Sequence, residues 1–160
     1  MEISELLLKV PEGYQLIVGQ SHFIKTVEDL YEVLSSAVPG AKFGVAFCEA
    51  SGKALVRFDG TDAEPIRIAT DFAMKISAGH VFVIILKDIF PINVLNRVKA
   101  VEEVVNIYCA TANDVSIVIA ESEGRRAVLG VMDGVMPEGI ETKHDAQDRR
   151  EFLRKIGYKR

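Results

Sequence analysis

Ala78-Gly79-His80-Val81-Phe82-Val83-Ile84-Ile85-Leu86-Lys87 decides the fold. Its six consecutive apolar residues, mostly β-branched or aromatic, show no alternation. A strand with one wet face alternates, whereas an unbroken apolar run requires cover on both faces. The stretch therefore predicts a central strand with packing layers above and below. Gly79 can take the left-handed conformation that ends a preceding helix, which puts His80 where the helix gives way to the buried strand. An imidazole at the rim of a core either donates a structural hydrogen bond or does chemistry. The strand alone leaves both readings open.

Upstream, Ala69, Phe72, Ala73 and Ile76 form the buried stripe of a helix that begins after Gly60, with Thr61 or Asp62 as its cap and Pro65 in its first turn. Before it, Lys42 to Glu49 and Lys53 to Asp59 flank Ala50-Ser51-Gly52, the pattern of two strands around a short glycine-containing turn. In the second run Leu55, Arg57 and Asp59 alternate with Val56 and Phe58, so one face is wetter. An earlier helix follows Thr26, with Asp29 as a variant capping box; it buries Val27, Leu30, Tyr31 and Leu34 and ends at Pro39-Gly40. Ile3 to Val10 and Tyr14 to Gly19 read as strands around Pro11-Glu12-Gly13, which predicts an N-terminal hairpin.

Downstream, Phe90 to Lys99 reads as a short helix with proline near its start and basic residues at its end. Val104 to Thr111, Val115 to Glu121 and Ala127 to Asp133 are strand-like runs with antiparallel connections at Asn113-Asp114 and Glu123-Gly124-Arg125. His144 to Lys155 is an amphipathic surface helix, with Phe152, Leu153 and Ile156 on one side. The order β-β-α-β-β-α-β-α-β-β-β-α predicts an α+β (mixed α/β) fold: a largely antiparallel sheet with helices packed against it, one domain over residues 1–160.

At 160 residues and 49% hydrophobic, the chain fills one core. A net charge of −4 with mixed signs argues against a nucleic-acid binder that neutralises phosphates. No run approaches the ~20 apolar residues that span a bilayer, and the start lacks a basic signal region, so a cytoplasmic protein without a membrane partner is expected. Cys48 and Cys109 lie in apolar runs and read as reduced core thiols.

Motifs exclude more than they identify. There is no G-x-G-x-x-G, and Gly52-Lys53 lacks the rest of a P-loop. His22, His80 and His144 have no metal-ligand spacing, and no G-x-S-x-G elbow exists. Gly19 to Lys25 leads into a helix N-terminus, where free N–H groups, the helix dipole and Lys25 make a candidate anion site around Thr26; His22 adds a donor or nucleophile. The same residues also suit simple capping. Asn93 and Asn96 can cap the third helix or face a ligand, Asn113-Asp114 is a good turn pair, and Asp133 puts a carboxylate at the end of an apolar strand.

Taken together, Gly19 to Leu30, Glu49-Ala50-Ser51-Gly52-Lys53 and Gly60-Thr61-Asp62 resemble the first half of the small prokaryotic adenosine-specific kinases. Gly79-His80-Val81-Phe82, Pro91-Ile92-Asn93-Val94-Leu95, Ala110-Thr111-Ala112-Asn113, Leu129 to Gly134 and Leu153 to Lys159 resemble the second. The resemblance implies a phosphotransferase that binds adenosine or AMP, carries a phosphohistidine and assembles as a homo-oligomer, and it points to a trimer. ATP or another phosphate donor is implied, with Mg²⁺ arriving through the phosphates.

By motif the phosphorylated residue maps to His80 or His22, with His80 preferred for its fixed place at the strand edge. Asp133 is the nominated carboxylate behind the imidazole; Lys25, Thr26 and Lys53 are candidates for phosphate, and Asn93 and Asn113 for adenosine. A non-catalytic adenine-nucleotide sensor is the alternative. An exposed edge strand offers one route to self-association.

Overall fold

The computed structural model describes all 160 residues and contains the twelve elements in the expected order. They are β1 (Glu2–Leu8), β2 (Tyr14–Ser21), α1 (Thr26–Ala37), β3 (Lys42–Cys48), β4 (Val56–Gly60), α2 (Ala63–Ile76), β5 (Val81–Lys87), α3 (Pro91–Lys99), β6 (Val104–Thr111), β7 (Val115–Ser122), β8 (Arg125–Asp133) and α4 (Lys143–Lys155). They form two wholly antiparallel sheets, one with strand order β4-β3-β5-β2-β6 and one with order β1-β7-β8.

β5 is the middle strand of the larger sheet, and its side chains divide between two cores. Phe82, Ile84 and Leu86 pack with Phe43, Phe47, Leu30 and Val98 beneath α1 and α3. Val81, Val83 and Ile85 pack on the other face with Phe72 and Ile76 of α2 and with Val115, Ile117 and Ile119 of the smaller sheet. Cover on both faces is why the run carries no polar alternation. No helix is long and apolar enough to cross a membrane.

Three local expectations change. β1 does not form a hairpin with β2: it pairs with β7 from Glu2↔Glu121 to Leu8↔Val115, while β2 lies between β5 and β6. Pro11-Glu12-Gly13 thus carries the chain from one sheet to the other. Asn113-Asp114 is likewise a crossing between β6 and β7 of different sheets, its Asp114 carboxylate accepting the Val10 N–H at 2.9 Å. Finally, the left-handed residues after α2 are Ser77 (φ 48°) and His80 (φ 67°), not Gly79. Gly79 is needed instead for close approach, because a Cβ there would lie 2.9 Å from the Ala50 Cβ.

Candidate functional site

His80 precedes β5 at one end of the larger sheet, and three neighbours fix it. Its N–H donates to the Cys48 carbonyl at 2.8 Å, and its own carbonyl accepts the Ser21 N–H at 3.0 Å. Its ring stacks on Phe47 with centroids 6.0 Å apart and planes 20° from parallel. A non-glycine residue in the left-handed region is uncommon, and histidine is among the types that tolerate it. Such strain costs of order 1–3 kcal/mol and persists where surroundings over-determine it. Neither ring nitrogen of His80 has a protein hydrogen-bond partner. The imidazole is half-buried, held by backbone and stacking, with both nitrogens open to chemistry.

The β3–β4 turn closes over this end. Its first residue, Glu49, follows the carbonyl that holds His80 and accepts from the Leu55 N–H at 3.0 Å and from Arg57 Nη2 at 3.1 and 3.3 Å. The Leu55 N–H first, and then Arg57, hold the Glu49 carboxyl below its usual range despite desolvation. Arg57 pairs with Phe47 across β3 and β4, so the two side chains share one face of the sheet. Its Nε is buried without a partner. Arg57 and Glu28 are the charged groups in a groove of about 450 Å³ whose walls are Ile24, Val27, Leu55, Val56 and Phe58. That volume suits a small organic ligand, as does an apolar wall with a few polar groups.

Lys53 is exposed at the tip of the same turn. Lys25 and Thr26 lie nearby at the start of α1, and both are engaged. The Lys25 ammonium pairs with Asp29 and, at 3.1 Å, with Glu103, a carboxylate 1% exposed. Those hydrogen bonds, to Asp29 first and Glu103 second, raise the Lys25 pKa above its usual value. Thr26 Oγ1 donates to the Phe23 carbonyl at 2.5 Å and shares a 2.7 Å hydrogen bond with Ser21 Oγ. The Thr26 and Val27 N–H groups bond to the Phe23 and Ile24 carbonyls of the loop itself. His22 is exposed beside Phe23, its N–H donating to the Glu103 carbonyl at 3.1 Å.

Asp133, expected behind the imidazole, lies at the other end of the sheet from His80 within the chain. It accepts from Thr111 Oγ1 at 2.8 Å and Asn113 Nδ2 at 3.1 Å. Thr111 pairs with Leu16, and Leu16 with Ile85, five residues along the sheet from His80, a separation of about 17 Å at strand rise. Asn113 belongs to that far cluster as well. Asn93 caps α3, its Oδ1 accepting the Phe90 N–H at 3.1 Å.

A cavity of about 510 Å³ between α1 and α3 is lined by paired charges such as Lys25 and Asp29, and His80 is not among its lining residues. No three His, Cys, Asp or Glu side chains gather to hold a metal ion.

Glu49, Arg57 and Glu103 were not singled out by the sequence. The alternation through Leu55, Arg57 and Asp59 marks Arg57 as a charged strand residue, but only the fold reveals Glu49 as its partner.

An antiparallel α+β domain whose left-handed histidine stacks on Phe47, the cross-strand partner of the groove residue Arg57, defines a candidate small-molecule enzyme. The family model described as adenosine specific kinase matches residues 6–159, and the chain belongs to that family. The crystal structure of the PH1918 protein from Pyrococcus horikoshii OT3 is similar throughout: 46% identity, TM-score 0.95, covering 99% of this chain and 98% of that one. No curated protein matches the chain.

Proposed function

We propose that the chain is an adenosine- or AMP-binding phosphotransferase that works through a phosphohistidine, with His80 as the nucleophile. The observation that carries this reading is the His80 ring, oriented by Phe47 and two backbone hydrogen bonds while both nitrogens stay free. An imidazole nitrogen attacks the terminal phosphorus of a donor such as ATP. The N–P bond forms as the P–O bond to the diphosphate breaks, and the ring releases one proton. The 5′-hydroxyl of adenosine then attacks the phosphorus, the N–P bond breaks, and the hydroxyl proton returns to the imidazole. Arg57 and Lys53 are the cations on the strand and turn next to His80 that would meet the phosphates, and the Ile24–Phe58 groove would take the nucleoside. Any Mg²⁺ enters on the donor's phosphates.

A second reading, a non-catalytic adenine-nucleotide-binding module, is favoured by one feature. Lys25 and Arg57 already pair with carboxylates, which leaves less free positive charge for a transferring phosphoryl group.

Intact mass after incubation with ATP, before and after mild acid, separates the two. The proposal expects one acid-labile phosphate on the His80 peptide, none in His80→Asn, and steady conversion of adenosine. Asparagine tolerates the left-handed backbone, so that variant keeps the fold. Label on His22 instead would move the nucleophile, and tight AMP binding without any label would favour the module.

A further inference from the structure

Beside the Ile24–Phe58 groove lies a second cavity of about 440 Å³, which the phosphotransfer reading leaves without an occupant. Three loops form it: the β3–β4 turn, the segment between α2 and β5, and the β7–β8 turn. Leu55 and Val56 belong to both walls. The Glu49–Arg57 ion pair at 3.1 Å joins the two spaces, with Glu49 lining the cavity and Arg57 the groove. Cys48 and Gly79 are wall residues too. Cys48 supplies the carbonyl that holds the His80 N–H, and Gly79 precedes His80, so the cavity reaches the backbone that carries the histidine.

What the cavity offers is unused hydrogen-bond donors. The N–H groups of Ala50, Gly79 and Gly124, one from each loop, have no backbone acceptor. Arg126 commits Nε to Glu121 at 2.6 Å and Nη1 to the Lys75 and Ile76 carbonyls at the end of α2, which leaves Nη2 unbonded. Arg125 pairs with Glu123, but both side chains are 80% exposed, and such a pair opens at little cost. The single carboxylate on the wall, Glu49, already accepts from the Leu55 N–H and Arg57. Backbone N–H groups converging with arginines suit a phosphate chain. Leu55, Val56 and Met74 add an apolar surface for an organic body, in a volume that suits a small ligand.

A group-transfer enzyme has to place two substrates, and two spaces with a common wall beside one nucleophile meet that need. We propose that this cavity binds the phosphate donor, a nucleoside triphosphate, with Arg125 and Arg126 on its phosphate chain, while the groove holds the acceptor nucleoside. The donor role rests on the phosphotransfer reading; the anion site itself does not.

Isothermal titration of ADP into the full chain saturated with adenosine tests it. ADP carries the donor's leaving group and has no γ-phosphate to pass on. ADP binds the adenosine-saturated wild type. Arg125→Ala weakens that binding about tenfold or more, as the loss of a charge-assisted hydrogen bond requires. Met74→Trp, which fills the cavity from an exposed wall position, weakens it as well. Arg125 and Met74 are 80% and 61% exposed, so neither variant disturbs the core, and adenosine affinity stays at the wild-type value in both. Ile24→Trp in the groove does the opposite: it weakens adenosine and leaves ADP unchanged. Failure of ADP to bind, competition between ADP and adenosine for one site, or equal loss of both ligands in Arg125→Ala overturns the proposal. Labelling of His80 by ATP is scored separately. A wild type that takes no phosphate, while Arg125→Ala still loses ADP, overturns the donor role through the reading it rests on and leaves the anion site standing. A labelled His80 with ADP binding indifferent to both cavity variants overturns the site and leaves the phosphotransfer reading standing.

Discussion

The His80 ring lies on the Phe47 ring, 6.0 Å between centroids, while the His80 N–H bonds to the carbonyl of Cys48, the residue after Phe47. One strand end thus sets both the backbone and the ring of the histidine. Phe47 is only 1% exposed, so its position is fixed by the core. Replacing it by leucine should cost less than the about 3–5 kcal/mol of a buried Phe→Ala change, leaving a folded protein whose imidazole has lost its platform. The expected result is slower phosphate incorporation at His80 with near-native secondary structure. Unchanged incorporation in Phe47→Leu would show that the stacking orients nothing.

The backbone of His80 gives a separate test. At φ 67° a β-branched residue is strained and glycine is not. His80→Gly should stay within about 1 kcal/mol of the wild type and His80→Val should lose about 1–3 kcal/mol, measured as urea midpoints with unchanged m-values. Equal losses in both would assign the effect to the ring and not to the backbone.

Much of this architecture is legible in the residues, and the exceptions share one cause. The run Val81–Leu86 announces a doubly covered strand because burial on both faces leaves no room for polar alternation. The stripe Ala69, Phe72, Ala73 and Ile76 is the buried face of α2 for a similar reason. Strand partnership is not local: β1 pairs with a strand more than a hundred residues away, and nothing in Pro11-Glu12-Gly13 tells a hairpin turn from a crossing between sheets. The site follows the same rule. Lys25 reads as a free cation at a helix start until Glu103, from the loop before β6, meets it. Asp133 reads as a strand-end carboxylate, and only the register puts it at the opposite end from His80.

That Lys25 cluster sets the acid and alkaline limits of part of the stability. Asp29 is held below its usual pKa chiefly by its hydrogen bond to Lys25. Its contribution is present above the unfolded value near 3.9 and is lost as pH falls through the lower folded value. Lys25 is raised, so its contribution is present below the unfolded value near 10.4 and is lost as pH rises through the higher folded value. Between these limits the cluster should add a pH-independent increment. Lys25→Met should lower the thermal midpoint at pH 7 by leaving Glu103 buried without its cation, and Lys25→Met with Glu103→Leu should recover most of it. A double variant no more stable than Lys25→Met would argue against an uncompensated Glu103 charge.

Cys48 and Cys109 are both buried, and burial pushes each thiol up to about 11. An unfolded thiol titrates near 8.5. As pH rises from that value toward 11, the unfolded chain sheds protons that the folded chain keeps, and stability falls. At pH 8 the native protein should therefore resist alkylation, while urea-unfolded chain takes up label on both cysteines. Rapid labelling of either thiol in the native state would show that its strand opens locally.

The contact between α2 and the larger sheet depends on a missing side chain. A Cβ built on Gly44 in β3 would collide with the backbone of Pro65 and Ile66 in the first turn of α2. Backbone cannot rotate away as a flexible side-chain tip can, so relief requires moving the helix. Phe72, Ala73 and Ile76 of α2 are buried in the core, and any such movement opens their packing. Gly44→Ala should therefore cost at least the about 1–3 kcal/mol typical of overpacking, seen as a lower urea midpoint. Gly44→Val should fare worse, since its larger side chain meets the same backbone. A Gly44→Ala protein within about 0.5 kcal/mol of the wild type, the range of neutral surface changes, would mean that α2 can shift along β3 without disturbing the core.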